Sequence, residues 1–533
     1  MTSRPLRFRI AFGPWLLLLL VLLPSAHAAA QRLIESVETV PARDQWLQPG
    51  DRLQLRVKAQ PGARVAVLQT TAPGLPGPDG KPTKVLRDVP LTELPTADGR
   101  RGSGVYQLSY LVQATDTALG TAAGRPLKVR LRLPDGRRDS LLTKTTLRLL
   151  NPALPQLART TTSLAYLNYG LGEDRLGGAK IGYLDSLVLL HVTGRVGEYL
   201  RVRLAETQTA WVPDETVRLL PPGGFAPQSL TGSWSVSGDE QYDYVRVPLQ
   251  ERLPYRSQLQ LEPTRLVVDV FGATSNTNWI TQRAGLREIT NVYYEQPQPD
   301  VFRVVIDLKH AQSWGYAIGY QGNVLTIKVR RPPARLELKG LTIAVDAGHG
   351  GDNQGAVGSA GVPEKTLTLS IAQKLRTELE QAGARVIMTR EADVSVGNEL
   401  RVRRLRKLMP QLLISVHINS TGSPEAKGTA TFYRYVAFRP LSQAIYAQMQ
   451  QTGLAPWGNV GSFNFGLNGP TEFPNALVET AFVSNPEDEK RLLDPAFQQQ
   501  VAERIRAGIE DFLEATRAKR FLGRSKTEAV GND

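Results

Sequence analysis

Residues 341–351 read Leu-Thr-Ile-Ala-Val-Asp-Ala-Gly-His-Gly-Gly, an apolar run that ends in an aspartate, a histidine and three glycines. The run is typical of a strand that is buried on both faces of a parallel sheet. Apolar residues then recur every four positions, at Leu367, Ile371, Leu375 and Leu379, which predicts a helix with one buried face. Later segments predict three further strands and a closing helix, at 385–388, 412–416, 476–478 and 489–515. This alternation predicts an α/β domain with a mostly parallel sheet flanked by helices.

Two histidines of this region directly follow predicted strands. The chain has five histidines, and the two near its C-terminal end are His349, after Val345-Asp-Ala-Gly, and His417, after Ile414-Ser-Val. The carboxyl ends of parallel strands meet at one edge of a sheet, and functional sites gather there. We therefore expect the two imidazoles to lie close together.

Two carboxylates are predicted at the same edge of the sheet. Glu364 stands at the start of the helix, and Glu479 follows the strand 476–478. A catalytic zinc ion usually takes three ligands from histidine and carboxylate, and it lowers the pKa of a bound water to about 7. A carboxylate that is not a ligand can carry the proton of that water to a leaving amine. Position alone leaves open which glutamate has which role.

Each of these residues also has a structural explanation when it is taken alone. A histidine after a strand is often a hydrogen-bonded structural residue, Glu364 suits the positive end of a helix, and Glu479 is a candidate salt-bridge partner. Asp346 either orients His349 from behind or ends its strand as a turn residue. The joint occurrence of two histidines and two glutamates is what indicates a metal site.

Six sequence blocks carry a family resemblance, namely Val345–Gly351, Gly355–Gly358, Glu364-Lys365, Thr389-Arg390, Ile414–Asn419 and Leu477–Asn485. In this order they resemble the zinc-dependent N-acetylmuramoyl-L-alanine amidases of the amidase-3 group. The resemblance implies one zinc ion on His349, Glu364 and His417, with Glu479 as the catalytic glutamate. It also implies hydrolysis of the amide between N-acetylmuramic acid and L-alanine of the peptidoglycan stem peptide. Within the blocks, Asp346, Arg390 and Asn419 are further candidates for supporting the ligands or contacting substrate.

The sequence departs from the family pattern at two places. Asn353 stands where the family often has aspartate, and residues 405–409 lack a usual Ala-Asn pair. Some relatives carry an extra helix between the second histidine and the catalytic glutamate that blocks the site. Here that interval offers one helix-like stretch, around 440–452, and a Gly/Asn-rich loop at 457–469, so we expect no blocking helix. Residues 458–468 of this loop either line the substrate groove or form a plain flexible turn.

The part of the chain upstream of the α/β domain predicts β-rich domains. Apolar and polar residues alternate there with the period of half-buried strands. The second and third units resemble the bacterial SH3-like domain and the AMIN domain, a β-sandwich that accompanies cell-wall amidases. The predicted fold is thus multidomain, with a C-terminal α/β catalytic domain after the β-rich ones. The predicted ranges are a leader at 1–30, a β-sandwich at 31–152, an SH3-like barrel at 157–221, an AMIN-like β-sandwich at 228–331, the catalytic domain at 338–516 and a flexible tail at 517–533.

The N-terminus predicts export. Arg4, Arg7 and Arg9 precede the apolar run 15–23, and small residues follow Pro24, which is the order of a cleaved secretory signal. No later segment predicts a transmembrane helix, so a periplasmic or cell-wall location is expected. The chain has no cysteine, which excludes thiolate metal sites and disulfides.

The expected substrate and partner is peptidoglycan, and other division or wall proteins are possible partners of the β domains. The formal net charge of +14 suits an anionic cell surface. Nucleic acid is not expected, because no recognised aromatic-basic module accompanies the charge. The alternative is a non-catalytic wall-binding protein with a degenerate amidase domain. The preferred function is peptidoglycan hydrolysis in wall remodelling or daughter-cell separation.

Overall fold

The structure is a computed structural model that describes residues 32–70, 86–100, 102–116, 120, 123–172 and 174–529. The predicted leader lies outside the described residues. Among the described helices, none combines the length and the apolar character that a membrane crossing requires.

The first unit is β-rich, as its alternating sequence predicts, and its two sheets enclose one core. In β3 every second side chain is buried, from Leu53 to Ala59, and these residues enter one core with Val129 and Leu147. One sheet has the strand order β1-β3-β7-β6, and the other contains β2-β9-β8-β4-β5. The strands are β1 (Ile34–Thr39), β2 (Gln45–Leu47), β3 (Arg52–Ala59), β4 (Arg64–Thr70), β5 (Leu86–Pro90), β6 (Thr92–Glu93), β7 (Val105–Leu111), β8 (Arg125–Arg132) and β9 (Arg138–Leu149).

The second unit is a small all-β body whose sheet is continuous with that of the first. Its strands are β10 (Gln156–Thr160), β11 (Ala165–Asn168), β12 (Lys180–Leu184), β13 (Leu189–Val196), β14 (Tyr199–Ala205), β15 (Gln208–Pro213) and β16 (Val217–Leu219). Strand β13 pairs with β10 and β14, and it also pairs with β2 of the first unit through Arg195 and Trp46. The likeness of this unit to an SH3-like barrel stays a prediction.

The third unit packs two antiparallel-rich sheets, with strand orders β23-β18-β19-β27-β26 and β20-β21-β25-β24. At the end of this unit β26 and β27 pair antiparallel and form a hairpin. The strands are β17 (Ser229–Leu230), β18 (Trp234–Gly238), β19 (Tyr242–Pro248), β20 (Tyr255–Leu261), β21 (Thr264–Phe271), β22 (Ala273–Thr274), β23 (Ile280–Gln282), β24 (Ile289–Gln298), β25 (Val301–Leu308), β26 (Tyr316–Gln321) and β27 (Val324–Arg330).

The C-terminal domain is the predicted α/β body. Its six-stranded sheet has the order β29-β28-β30-β33-β31-β32, and only the β31–β33 pair is antiparallel. The elements are β28 (Thr342–Ala347), α1 (Glu364–Gln381), β29 (Arg385–Met388), α2 (Asn398–Leu408), β30 (Leu412–Asn419), β31 (Thr429–Phe432), α3 (Arg439–Met449), β32 (Pro456–Val460), β33 (Asn475–Phe482), α4 (Pro486–Leu492) and α5 (Pro495–Ala529).

Several predicted boundaries in this domain were wrong. Strands β30 and β33 extend past their apolar runs, so His417 and Glu479 lie inside strands rather than after them. The Gly/Asn-rich loop contains strand β32, which pairs with β31. The predicted closing helix is two helices, because Pro495 begins a new one after Asp494, whose carboxylate accepts from the backbone N–H of Ala496.

The end of the chain also differs from the prediction. Helix α5 continues to Ala529, where a flexible tail was expected from residue 517. The sequence from 517 to 529 is rich in Arg, Lys, Leu, Ala and Glu, all of which have high helix propensity.

One tryptophan of the third unit packs in the core of the α/β domain. Trp314, which precedes β26, is 1% exposed and belongs to the same core as Leu341, Ile505 and Phe512. Its ring lies 6.0 Å from the Phe512 ring, between ring centroids. Beside it, the backbone N–H of Tyr316 donates to the carbonyl of Thr471 at 2.8 Å. The third unit therefore contributes Trp314 to the hydrophobic core of the α/β domain.

We expect Trp314→Ala to lower the free energy of unfolding by about 3–5 kcal/mol, because it leaves a cavity between α5 and the third unit. The loss is measured by urea denaturation followed by far-UV circular dichroism, to which the helices of the α/β domain contribute. Trp279→Ala is the matched control, since this tryptophan of the same unit is 63% exposed. An equal effect of both substitutions would contradict the packing of Trp314 in the core of the α/β domain.

Candidate metal centre

His349 is presented by a glycine-rich turn immediately after β28. Its own backbone lies in the left-handed region, with φ of 61°, and φ is also positive at Gly350 and Gly351. Its Nδ1 lies 2.9 Å from the amide oxygen Oδ1 of Asn353. That amide oxygen also accepts from the backbone N–H of Gly355, so its orientation is fixed. Nδ1 therefore carries the hydrogen, and Nε2 is left free to bind a metal ion.

Glu364 joins the two histidines. It is the first residue of α1 and is buried, and its two oxygens point to different imidazoles. Oε2 lies 3.1 Å from His349 Nε2, and Oε1 lies 3.2 Å from His417 Nδ1. Backbone N–H groups of Ala356 and Ile418 donate to the same carboxylate, each at 2.9 Å.

The electrostatics of this cluster favour an ionised carboxylate. Burial by itself raises the pKa of Glu364, but the hydrogen bonds and charges of the two imidazoles outweigh it and bring the pKa well below its usual range. Burial opposes the charged form of His417, and the Glu364 carboxylate outweighs this and raises its pKa. The cluster thus presents a carboxylate between two imidazoles at one point.

His417 completes the cluster from the buried strand β30. Its ring centroid lies 5.0 Å from that of His349, with the rings nearly perpendicular. Phe465 packs edge-on against its other side at 5.3 Å. The ring is thus held between an aromatic wall and the first histidine.

The donor set fits a divalent metal ion. One ligand atom from each of His349, Glu364 and His417 lies within 4.8 Å of the other two. Ligands about 2.0–2.1 Å from one tetrahedral zinc ion lie roughly 3.3 Å apart, close to the separations of the carboxylate from both imidazoles. Two imidazoles and a carboxylate are also a donor set that zinc accepts. The three residues can therefore hold one ion.

Two glycines make this convergence possible. A Cβ atom at Gly348 would lie 2.5 Å from the His417 ring, and one at Gly355 would lie 2.5 Å from Glu364 Oε2. Real Cβ contacts essentially never come this close, so any other residue at either position would displace a ligand. The glycines of the sequence motif are thus required by packing around the ligands.

Glu479 stands beside the cluster as a fourth group. It is paired with His417 across the parallel strands β30 and β33. Its Oε2 is buried and has no hydrogen-bond partner among the described residues. Loss of water contact raises the pKa of Glu479 to about 7, and this rise is opposed by His417 and reinforced by Glu364. A carboxylate of this kind can take up and release a proton near neutral pH.

Asp346 is not a turn residue after its strand, and its support of His349 is indirect. It lies within β28 and is fully buried, and it makes no direct hydrogen bond to His349 among the described contacts. Its carboxylate accepts from Thr389, from Ser415 and from Arg401, whose Nη1 is 2.6 Å away. Arg401 also donates to the carbonyl of His349, so Asp346 supports the histidine through that arginine.

Arg390 is a supporting residue. It is buried, and it donates to the carbonyls of Ala347, Gly348 and Lys365 at 2.7–3.0 Å. It therefore holds the turn that carries His349, and its burial excludes contact with substrate. The side chain of Asn419 accepts from the backbone N–H of Ser420, and its role in substrate binding stays a prediction.

Sequence reasoning missed three residues of this centre. Asn353 was treated as a departure that affects packing, although it orients His349. Arg401 was not singled out, and Phe465 was considered only as part of the loop 458–468. The position of Asn353 four residues after a candidate ligand was a usable signal for Asn353, whereas Arg401 and Phe465 reach the site only through the fold.

The site lies in a region that matches a known family. The profile of the N-acetylmuramoyl-L-alanine amidase family matches residues 343–511, and that of the AMIN domain matches residues 235–329. The Probable cell wall amidase LytH of Staphylococcus saprophyticus is 30% identical over 200 residues, which cover 37% of this chain and 67% of that protein. The chain belongs to the N-acetylmuramoyl-L-alanine amidase family. The amidase activity predicted from the sequence is confirmed.

Two further proteins are similar to this amidase. The N-acetylmuramoyl-L-alanine amidase AmiC of Neisseria meningitidis is 26% identical over 371 residues, which cover 52% of this chain and 89% of AmiC. The solved catalytic domain of CwlV from Bacillus (Paenibacillus) polymyxa is 33% identical and covers 33% of this chain and 98% of that one, with a TM-score of 0.32. The match to AmiC is long enough to reach beyond the α/β domain.

We expect Gly348→Ala to abolish stable binding of a divalent ion to this amidase, because the new methyl group displaces the His417 ring. Metal content after dialysis is measured by mass spectrometry, with circular dichroism as a check that the chain is folded. Gly422→Ala is the control, since nothing lies within 4 Å of a Cβ at that position. Full metal occupancy in Gly348→Ala would contradict the geometry of the cluster.

We expect Asp346→Asn to destabilise the amidase by about 3–5 kcal/mol, because it leaves the Arg401 guanidinium buried without its counter-ion. The side chains of Asp346 and Arg401 are 0% and 3% exposed. The loss is read from the urea midpoint by circular dichroism. Glu487→Gln removes an ion pair whose glutamate is 77% exposed, and it should cost less than about 1 kcal/mol.

Proposed function

We propose that this amidase binds one zinc ion on His349, Glu364 and His417 and hydrolyses the amide between N-acetylmuramic acid and L-alanine of peptidoglycan, with Glu479 carrying the proton. The observation that carries the proposal is the three-donor cluster beside a buried glutamate oxygen that lacks a hydrogen bond. Zinc is favoured over softer or harder ions by the pair of imidazoles and the absence of cysteine. When bound, zinc supplies a Lewis acid for the carbonyl and acidifies a water molecule.

Glu479 transfers the proton in this proposal. Its carboxylate accepts a proton from the attacking water and delivers it to the amide nitrogen as the C–N bond breaks, so that the sugar keeps a carboxylate and the peptide leaves as an amine. A pKa near 7 suits both halves of this transfer. Glu364 cannot exchange roles with it, because both of its oxygens are already directed at the imidazoles.

The remaining residues hold the ligands in place. Asn353 fixes the tautomer of His349, and Phe465 restricts rotation of the His417 ring. Asp346 and Arg401 position the backbone from which His349 projects. Because these residues and Glu364 hold the ligands or bind the ion, the proton transfer is assigned to Glu479.

We further propose that the enzyme works outside the cytoplasm, in the periplasm or at the cell wall, in remodelling or daughter-cell separation. The AMIN domain and the AmiC relative support this location. The β units would hold the wall or its division proteins, and the basic charge favours an anionic surface.

The enzyme is proposed to need no removal of a blocking helix. Between His417 and Glu479, all of whose residues the structure describes, the single α-helix is α3. Its buried residues Leu441, Ile445 and Met449 belong to the core of the domain, alongside residues of α5. The alternative of a degenerate, purely wall-binding protein is disfavoured, since all four candidate residues are present and together.

We expect Glu479→Gln to keep one zinc ion per chain and to reduce kcat by about 10²–10⁴, because it removes the proton carrier without changing shape. Zinc is counted by mass spectrometry, and turnover is followed on purified muropeptides, whose products identify the bond cut. Glu425→Gln, an exposed glutamate on a loop, is the control. Near-normal turnover in Glu479→Gln would refute the role, and products cut at another bond would refute the substrate assignment.

A further inference from the structure

A loop of the second β unit lies against the catalytic domain beside the metal centre. Residues 174–179, between β11 and β12, are called here the Arg175 loop. The side-chain amide of Asn464 donates to the carbonyls of Leu176 and Gly178, at 3.3 and 2.8 Å. The backbone N–H of Lys180 returns a hydrogen bond to the Asn464 oxygen at 3.2 Å. One asparagine of the catalytic domain therefore binds the backbone of this loop at two points and the first residue of β12 at a third.

Asn464 connects the loop to the catalytic machinery. Arg434 donates to its oxygen at 2.8 Å and also to the carbonyl of Lys180, so the contact is braced by a second side chain. The next residue, Phe465, is the ring that packs against His417. The Arg175 loop is thus one residue removed from the wall of the metal centre.

Further contacts hold the second unit against its neighbouring domains. Arg403 of α2 donates to Thr162 Oγ1 at 2.6 Å, and Arg406 lies 4.8 Å above the Tyr183 ring. On the other side, the backbone N–H of Tyr320 in the third unit donates to Asp185 at 2.8 Å. The second unit is thus bonded to both the catalytic domain and the third unit, so the fold fixes the position of the Arg175 loop.

Arg175 directly precedes Leu176, the first residue of the loop that Asn464 binds. Its side chain is exposed, while Gly178 on the same loop is buried. Among the residues that the structure describes, no carboxylate forms an ion pair with its guanidinium. Its charge is near enough to Glu479 to lower the pKa of that carboxyl, against the larger effect of burial. The Asn464 contact thus places an exposed cation on a loop beside the aromatic wall of the metal centre.

We propose that the second β unit forms one wall of the substrate groove, and that Arg175 binds a carboxylate of the stem peptide. The inference rests on the proposed function, since it assigns the anionic peptide half of that substrate. The stem peptide carries free carboxylates beyond the bond to be cut, and a guanidinium recognises a carboxylate through paired N–H donors. Arg175 is accordingly a specificity residue that touches substrate and takes no part in bond breaking.

The test measures binding of a stem peptide to the whole zinc-loaded chain by titration calorimetry. Two peptides are compared, one with free carboxylates and one with the same carboxylates amidated. We expect Arg175→Ala and Arg175→Glu to weaken binding of the free peptide about tenfold or more, as loss of a charged hydrogen bond would. The dissociation constant of the amidated peptide should change less than about twofold in the same variants. Arg175→Lys should keep most of the affinity for the peptide with free carboxylates.

Arg218→Glu is the matched control, because Arg218 is an exposed arginine of the same unit on strand β16. It should leave both affinities as in the unaltered chain. Equal weakening for both peptides, or no weakening for either, would overturn the proposal. Faster muropeptide turnover in Arg175→Glu would also overturn it, because the loop would then cover the site. Turnover by the unaltered chain tests the proposed function separately.

Discussion

The carboxylate of Glu364 is the constraint on which the site depends. It is buried at the first turn of α1, where the helix end favours negative charge, and it must face imidazoles from two different strands. For both contacts to form, α1 has to begin directly beneath the ends of β28 and β30. The glycines at 348 and 355 then follow, since any side chain there would occupy the space of a ligand. The position of one carboxylate thus determines the local sequence around it.

Behind this carboxylate, a buried network holds the strand ends at a fixed distance. Asp346 accepts hydrogen bonds from Thr389, directly after β29, and from Ser415 of β30, and Arg401 links it to the backbone of His349. Such a network costs desolvation and adds little net stability when it is complete. Its value is positional, because it sets the register in which the two imidazoles meet. The centre is therefore held from the interior of the sheet rather than from the surface loops.

The sequence predicted those parts of the site that follow from local pattern. The strand at 385–388 and the strand-end position of His349 came directly from apolar runs and the residues after them. Glu479 was assigned to the right edge, but inside a longer strand, because its antiparallel partner β31 has no distinct local pattern. The roles of Trp314 and of the Arg175 loop could not be predicted, since they depend on contacts with Phe512 and Asn464, which are distant in sequence. Periodicity reports which face is buried, and it does not report against what.

Trp314 sits in the core of the catalytic domain although it belongs to the AMIN unit, and this has a consequence for how the enzyme can search its substrate. A hydrolase that is joined to its binding domain by a flexible linker can reach and cut any bond within the length of that linker. Here Trp314 of the AMIN unit packs in the core of the catalytic domain, so the catalytic cleft has a fixed position and orientation relative to the AMIN unit. Such an enzyme would cut at a fixed distance from the point where its AMIN unit binds, and it would have to dissociate and rebind to reach the next bond.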